Sequence, residues 1–66
     1  MEESNRRKLL RLQRMEATEK EVYHRLAKQQ RDPLNAAILE GIALEEERHE
    51  SIIAEMTDET VNPAMF

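Results

Sequence analysis

The chain of 66 residues contains no cysteine, no tryptophan and a single glycine. Without cysteine it forms no disulfide and no thiolate metal site, and it offers no thiol for catalysis. It also lacks the run of about 18 apolar residues that a membrane-spanning helix requires. A domain of this size builds only a marginal core, so we expect it to depend on a bound metal or on other copies of itself.

The charge balance is acidic. Lysine and arginine number 10, aspartate and glutamate number 14, and the formal net charge is −4. This balance argues against a nucleic-acid partner, although basic residues cluster near the start of the chain. Met1 is followed by two glutamates and not by a basic and then apolar signal region. We therefore expect a soluble, cytoplasmic protein.

Helix formers dominate from about Asn5 to Gln30, where no glycine or proline interrupts them. Asp32-Pro33 is a typical helix start, so the sequence predicts a second helix over about 33–56. Gly41 lies inside that helix and suggests a close helix contact. Residues 57–66 are predicted to form an irregular tail, whose apolar end at Ala64, Met65 and Phe66 suggests a cut within a longer polypeptide.

Two helices joined by so short a connection fold back on each other, so the expected fold class is all-α, with one single domain over residues 1–66. One hairpin leaves its apolar stripes half exposed. We therefore expect two hairpins to dimerise into a four-helix bundle, and a larger ring is the alternative that the sequence leaves open.

Acidic residues lie on the apolar faces of both predicted helices. At about 100° per residue, Glu16 falls within about 80° of an apolar set on helix one, and Glu46 does the same on helix two. Glu19 and His49 lie about 60° from these two residues, Glu45 lies at an edge, and His24 falls on the charged side of helix one. The two apolar sets are Leu9, Leu12, Tyr23, Leu26 and Ala27, and Ile38, Leu39, Ile42, Ile53 and Met56. Four further apolar residues lie off these stripes, as isolated surface residues or a second interface: Leu10, Ala17, Ala37 and Leu44.

These positions predict a metal site. Glu16 and Glu46 are each about 15 residues from the turn, so their side chains should lie at one level. Buried carboxylates repel one another unless a cation lies between them. In Glu46-Glu47-Arg48-His49 the outer residues share a helix face, so a carboxylate and an imidazole can reach the same ion. Glu16, Glu46 and His49 are thus the predicted ligands of two cations per dimer interface. Their mixed oxygen and nitrogen donors suit iron or manganese, with zinc as a substitute.

The same residues resemble the ferritin-like superfamily, in particular its rubrerythrin branch and the two-helix encapsulated ferritins. A closer resemblance is to the ferritin-like domain of vacuolar iron transporter-type proteins, on account of Leu12-Gln13 and Asn62-Pro63. The blocks that carry the wider resemblance are Met15-Glu16-Ala17-Thr18-Glu19 with Tyr23, Asp32-Pro33, and Ile42-Ala43-Leu44-Glu45-Glu46-Glu47-Arg48-His49.

This resemblance implies that Glu16, Glu46 and His49 bind iron and form the catalytic centre of a ferroxidase used in iron storage or detoxification. It implies that Glu19 is an additional, mobile metal ligand and that Tyr23 hydrogen-bonds a ligand carboxylate. An encapsulin shell or an attached membrane transporter is the implied partner. The chain has no cysteine, so the rubredoxin-like module of full rubrerythrins is missing and a complete peroxidase cycle is not expected.

Two other functions remain open at this point. The chain could bind iron reversibly, as a sensing or delivery domain of a membrane iron transporter, without oxidising it. It could also be a plain oligomerisation hairpin whose inward carboxylates lie in solvent.

Overall fold

The computed structural model describes residues 2–64, in which there are two α-helices and no strand. Helix α1 spans Glu3–Gln29 and helix α2 spans Pro33–Thr57. The expected all-α class is therefore confirmed, and the two helices pack along each other as an antiparallel hairpin. Met1, Met65 and Phe66 lie outside the described residues, and with them the apolar end of the chain.

The connection between the helices has the predicted chemistry. The Asp32 side chain accepts a hydrogen bond of 2.9 Å from the backbone N–H of Leu34. Pro33, whose fixed φ suits a first helical residue, begins α2. This cap satisfies one of the free N–H groups at the helix start and fixes where the chain reverses.

Helix α2 extends one residue further than the sequence indicates. Thr57, which the sequence pattern places in the tail, is its last residue and is buried. Asp58 then takes up the left-handed conformation, with φ of 57°, and its N–H donates to the carbonyl of Ala54. A left-handed residue is a common helix end, and the short side chain of aspartate tolerates it better than most.

The seam between the two helices is built from small side chains. Ala17, Ala27 and Ala43 are buried there together with Ile53. The interpretation of Ala17 as a surface or second-interface residue is wrong, because Ala17 is buried. It lies one turn after Gln13, on the side of α1 that packs against α2. Gly41 is exposed, and a Cβ built on it meets nothing within 4 Å, so it marks no close contact within the hairpin.

Charged side chains flank the seam. Lys20 Nζ lies 3.3 Å from Glu50 Oε2. His24 Nδ1 lies 2.7 Å from Glu40 Oε1 across the seam, without hydrogen-bond alignment. His24 therefore faces α2 beside the seam, about 80° from Glu16 on the helical wheel, and not the charged outer side of α1.

The segment after α2 folds back along α1. The Arg6 guanidinium pairs with the Glu59 carboxylate, and the N–H of Ala64 donates a 2.9 Å hydrogen bond to Thr18 Oγ1. Residues 58–64 thus run from the start of α1 to its middle. They occupy a flank of α1 that Glu16 does not face.

The largest apolar side chains are left uncovered by the hairpin. Leu12 and Leu26 on α1 and Ile38 and Met56 on α2 are exposed, although they lie within about 80° of Glu16 or Glu46. We call this surface the Glu16 face; it comprises Leu12, Glu16, Leu26, Ile38, Glu46 and Met56. Within residues 2–64, neither helix combines the length and the apolar content needed to cross a bilayer.

Candidate metal centre

Three side chains meet at one level of the hairpin. Glu16 comes from α1, and Glu46 and His49 come from α2 on successive turns. One ligand atom from each residue can be chosen such that all of these atoms lie within 4.8 Å of one another. His49 Nδ1 is 3.3 Å from Glu16 Oε2. The level matching predicted from the distances to the turn is thus present, and the group is one that could hold a metal ion.

The three candidate ligands differ in their exposure. The Glu16 side chain retains 16% of its accessible surface, whereas that of His49 retains 51%. Glu46 is half-buried between them. The group therefore lies where the seam opens onto the Glu16 face, and it is covered from one side only.

Glu46 combines a raised pKa with a buried oxygen that has no hydrogen-bond partner in the described part of the chain. Close contact with the Glu16 carboxyl, which becomes a hydrogen bond when one of the two is protonated, raises the pKa of Glu46, and burial raises it further. Contact with Glu19 and the charge of His49 act in the opposite direction. Its Oε2 atom is buried and has no hydrogen-bond partner within the described part of the chain. A buried carboxylate oxygen without a donor is costly, and a bound cation would satisfy it.

Glu19 belongs to the same cluster although it is more exposed. Its pKa is raised, mainly by hydrogen-bonding contact with Glu46, then by burial and by the charge of Glu46. It does not belong to the set of three whose ligand atoms lie together. This position, beside the ligands but outside the set, fits the additional mobile ligand that the resemblance implies, and that role stays a prediction.

Two neighbouring residues make no contribution to the cluster. Tyr23 is half-buried, and its hydroxyl forms no hydrogen bond within residues 2–64, so its bond to a ligand carboxylate stays a prediction. Glu45 is exposed and pairs with Arg48 at 3.2 Å on the outer surface of α2. Of the three consecutive glutamates 45–47, Glu46 is the one whose side chain belongs to the cluster.

The ligand chemistry fits a divalent first-row metal. Carboxylate oxygens bind iron and manganese well, and one imidazole nitrogen adds a ligand that iron and zinc also accept. A cation would neutralise the repulsion between Glu16 and Glu46 and occupy the free lone pairs of Glu46 Oε2. The donor set therefore suits metal binding, while the choice among these metals rests on the sequence resemblance.

Comparison of the chain with known protein families, with curated proteins and with solved structures found no match. Function is therefore inferred from the geometry of this site and from the surface around it.

Sequence patterns do not reveal the polar residues that support the site. Gln13 and Thr57 are both buried in the seam and bonded to each other, yet neither is among the predicted core or site residues. A detectable signal is present in the spacing of Gln13, Ala17, Lys20, His24 and Ala27, which repeats every three or four residues. Around α1 these five residues lie about 20–100° to one side of Glu16. They overlap the predicted apolar face at Ala27 but are centred beside it.

Proposed function

We propose that two copies of this hairpin pair through the Glu16 face and bind two ferrous ions, which they oxidise in iron storage or detoxification. The observation that carries this proposal is the convergence of Glu16, Glu46 and His49, with ligand atoms within 4.8 Å, beside a buried and unpartnered oxygen of Glu46. Neighbouring surface on the same side is strongly apolar and uncovered.

A second hairpin supplies what one hairpin lacks. One copy offers three clustered ligands on an open surface, whereas a two-fold dimer would place two such sets opposite each other. Two cations between these sets would offset the charge of several carboxylates better than one cation does. Pairing also buries the apolar side chains around the ligands, and exclusion of water strengthens each bond to the cations.

The residues of the chain would have distinct tasks in the reaction. Glu16 and Glu46, once deprotonated, supply negative charge that favours the higher oxidation state of iron, and neutral His49 supplies a nitrogen ligand. Two ferrous ions provide two electrons, which with two protons reduce dioxygen to hydrogen peroxide, or hydrogen peroxide to water. Glu19 would bind or release an ion as its charge changes.

The ferritin-like superfamily is the class of protein that this proposal assigns, on account of the residues quoted from its sequence. The cytoplasmic location and an encapsulin shell or transporter as partner belong to the same proposal. They depend on the resemblance, whereas iron binding is supported by the arrangement of side chains as well.

The test is aerobic addition of ferrous iron with ferric absorbance followed in time. The native protein should oxidise iron faster than buffer, and Glu46→Gln should reduce the rate to that of buffer. Glu47→Gln is the matched control, because it removes the same charge from the adjacent exposed residue and should leave the rate unchanged. Equal rates for native protein, Glu46→Gln and buffer would refute the proposal.

Half-exposed His49 favours a second candidate, reversible iron binding for sensing or delivery, because an accessible ligand exchanges its ion readily. That function predicts anaerobic binding of ferrous iron in a fixed ratio, no sustained oxidation in air, and full recovery of the iron by a chelator. A plain oligomerisation hairpin predicts neither, and its association would be indifferent to chelators and to Glu16→Gln.

A further inference from the structure

Gln13 is the largest side chain that the hairpin buries completely, with an exposed fraction of 0%. Its Oε1 accepts a 2.8 Å hydrogen bond from the hydroxyl of Thr57, which is also buried. Its Nε2 donates a 2.6 Å hydrogen bond to the backbone carbonyl of Glu59. One amide thus ties α1 to the end of α2 and to the segment that follows it.

The alanines at the centre of the seam do little to fix how the helices are aligned, and the pairs Lys20–Glu50 and His24–Glu40 lie at its partly exposed edges. Ala17, Ala27 and Ala43 project one methyl group each, so they interlock weakly and permit one helix to slide or rotate against the other. Hydrogen bonds are directional, and a buried one that is lost leaves an unsatisfied group. Within residues 2–64, Gln13 to Thr57 is the hydrogen bond that joins two buried side chains.

The bond lies close to the candidate metal centre. Gln13 precedes Glu16 by three residues, about 4.5 Å along α1. The connection between the helices, in contrast, is about 20 Å from Glu16. Thr57 follows His49 by eight residues, about two turns of α2. The cap at Asp32 holds one end of the hairpin, and the bond between Gln13 and Thr57 holds the other, with the ligands between them.

We infer that Gln13 and Thr57 are positioning residues, whose hydrogen bond sets the alignment that brings Glu16 of α1 level with Glu46 and His49 of α2. The inference rests on the proposed iron site for its functional consequence. It adds to that site two residues that touch no metal. Groups that hydrogen-bond a metal ligand directly commonly change metal affinity by about 10–100-fold. Gln13 and Thr57 bond to none of the three candidate ligands, so we expect an effect at the lower end of that range.

The double variant Gln13→Leu/Thr57→Val separates alignment from stability. It replaces both partners by apolar side chains of similar size, a change that is close to neutral for folding. The carbonyl of Glu59 loses its donor but belongs to an exposed residue, so water replaces it. We expect an unfolding temperature of the metal-free protein near that of the native chain, and a dissociation constant for ferrous iron, measured anaerobically, about tenfold or more higher.

Two single variants complete the set. Thr57→Ser keeps the hydroxyl and should retain native affinity, whereas Thr57→Val should lose affinity and leave the buried amide oxygen of Gln13 without a donor. Thr18→Val is the matched control, since it removes a hydroxyl that holds Ala64 outside the seam, and it should not change affinity. Native affinity in both Gln13→Leu/Thr57→Val and Thr57→Val would overturn the inference. Equal losses of affinity in Thr57→Ser and Thr57→Val would also overturn it.

A second readout needs no metal and separates this inference from the iron site itself. Nuclear Overhauser effects between the imidazole of His49 and the side chain of Glu16, whose nearest polar atoms are 3.3 Å apart, report the alignment directly. We expect them in the native metal-free protein and in Thr18→Val, and we expect them to be lost in the double variant. If the native protein bound no iron, the proposed function would fail. These effects would still show whether the hydrogen bond between Gln13 and Thr57 sets the alignment of the helices. Their persistence in the double variant would contradict the inference.

Discussion

The seam and the Glu16 face use opposite kinds of residues. The seam is narrow and nearly saturated: alanines fill its centre, Gln13 and Thr57 satisfy each other, and Lys20 pairs with Glu50 at its edge. The Glu16 face has large apolar side chains in solvent and carboxylates crowded against one another. The seam is complete within one chain, whereas the Glu16 face has the composition of an interior without a covering layer.

This difference indicates where the stability of the protein must come from. Burial of small side chains contributes little, because hydrophobic stabilisation grows with the apolar area removed from water. The area that would contribute most is still exposed in the single hairpin. A second copy and a cation would together remove both defects of the Glu16 face, which is why the proposed dimer and the proposed metal site depend on each other.

The largest expected effect is loss of the proposed dimer in Ile38→Glu. A carboxylate placed in an apolar interface, once per copy, should weaken association by about 4 kcal/mol, or about a thousandfold. Leu44→Glu is the matched control, because Leu44 is even more exposed in the hairpin, 60% against 54%, but lies off the Glu16 face. Sedimentation velocity measures both. Dissociation in Leu44→Glu with Ile38→Glu unaffected would place the interface on the other side of the hairpin.

Stabilisation by metal should be the next largest effect. Ferrous iron at about a hundred times its dissociation constant should stabilise the folded state by about 2.7 kcal/mol. In a domain of this size that corresponds to a rise in unfolding temperature of about 10–20 °C. Differential scanning calorimetry under anaerobic conditions measures it, with a chelator as the reversal. Glu16→Gln should abolish most of the rise, and an equal rise in Glu16→Gln would remove Glu16 from the site.

Gly41→Ala should have a smaller and favourable effect. In the hairpin an added Cβ meets nothing within 4 Å, so the substitution should gain about 1 kcal/mol from the better helix propensity of alanine. Thermal unfolding should shift upward by about 4–8 °C. A downward shift in the assembled protein would show that Gly41 lies against another chain, and the interface would then reach beyond the Glu16 face.

The smallest expected effect is a change in how stability depends on pH in metal-free Glu46→Gln. The folded protein raises the pKa of Glu46, so its contribution to the free energy of unfolding is fully present below the ordinary pKa of glutamate. That contribution is lost as pH rises through the raised pKa. Glutamine does not titrate, so the variant should gain stability relative to the native protein between acidic and neutral pH. Urea unfolding across this range measures the difference, and a gain as large in Glu47→Gln would attribute it to net charge alone.

With metal present, the sign of this dependence should reverse. Protons compete with the cation for Glu16, Glu46 and His49, so the metal-bound protein should lose stability as pH falls. The same unfolding series with ferrous iron under nitrogen measures this. A metal-bound protein that is most stable at acidic pH would contradict ligation by these three residues.

Much of the fold follows from local rules that act within one chain. The absence of glycine and proline from α1, the Asp32 cap and Pro33 determine two helices and a reversal, and all three are local in sequence. The level of Glu16 and Glu46 then follows from equal distances to the turn. These features are predictable because each depends on neighbouring residues or on regular helix geometry.

The details of the seam depend on which helix faces meet, and the predicted apolar faces coincide with it only in part: Ala27 and Ile53 are buried there. Large apolar residues dominate the pattern and point toward a bundle interior, while the hairpin closes on Ala17, Ala43 and their neighbours. Thr57 stands where the helical pattern of the sequence is lost. Its hydrogen bond to Gln13, which is 44 residues away, is not encoded in the local sequence. The position of residues 58–64 along α1 depends on equally distant contacts, which periodicity does not encode.

Native mass spectrometry of the protein prepared with ferrous iron under nitrogen tests the central claim most directly, because it reports the number of chains and of metal ions in one species. The account predicts a dimer that carries two iron ions, and a shift toward free chains when a chelator removes them. A monomer under both conditions, or a dimer that holds no iron, would contradict it.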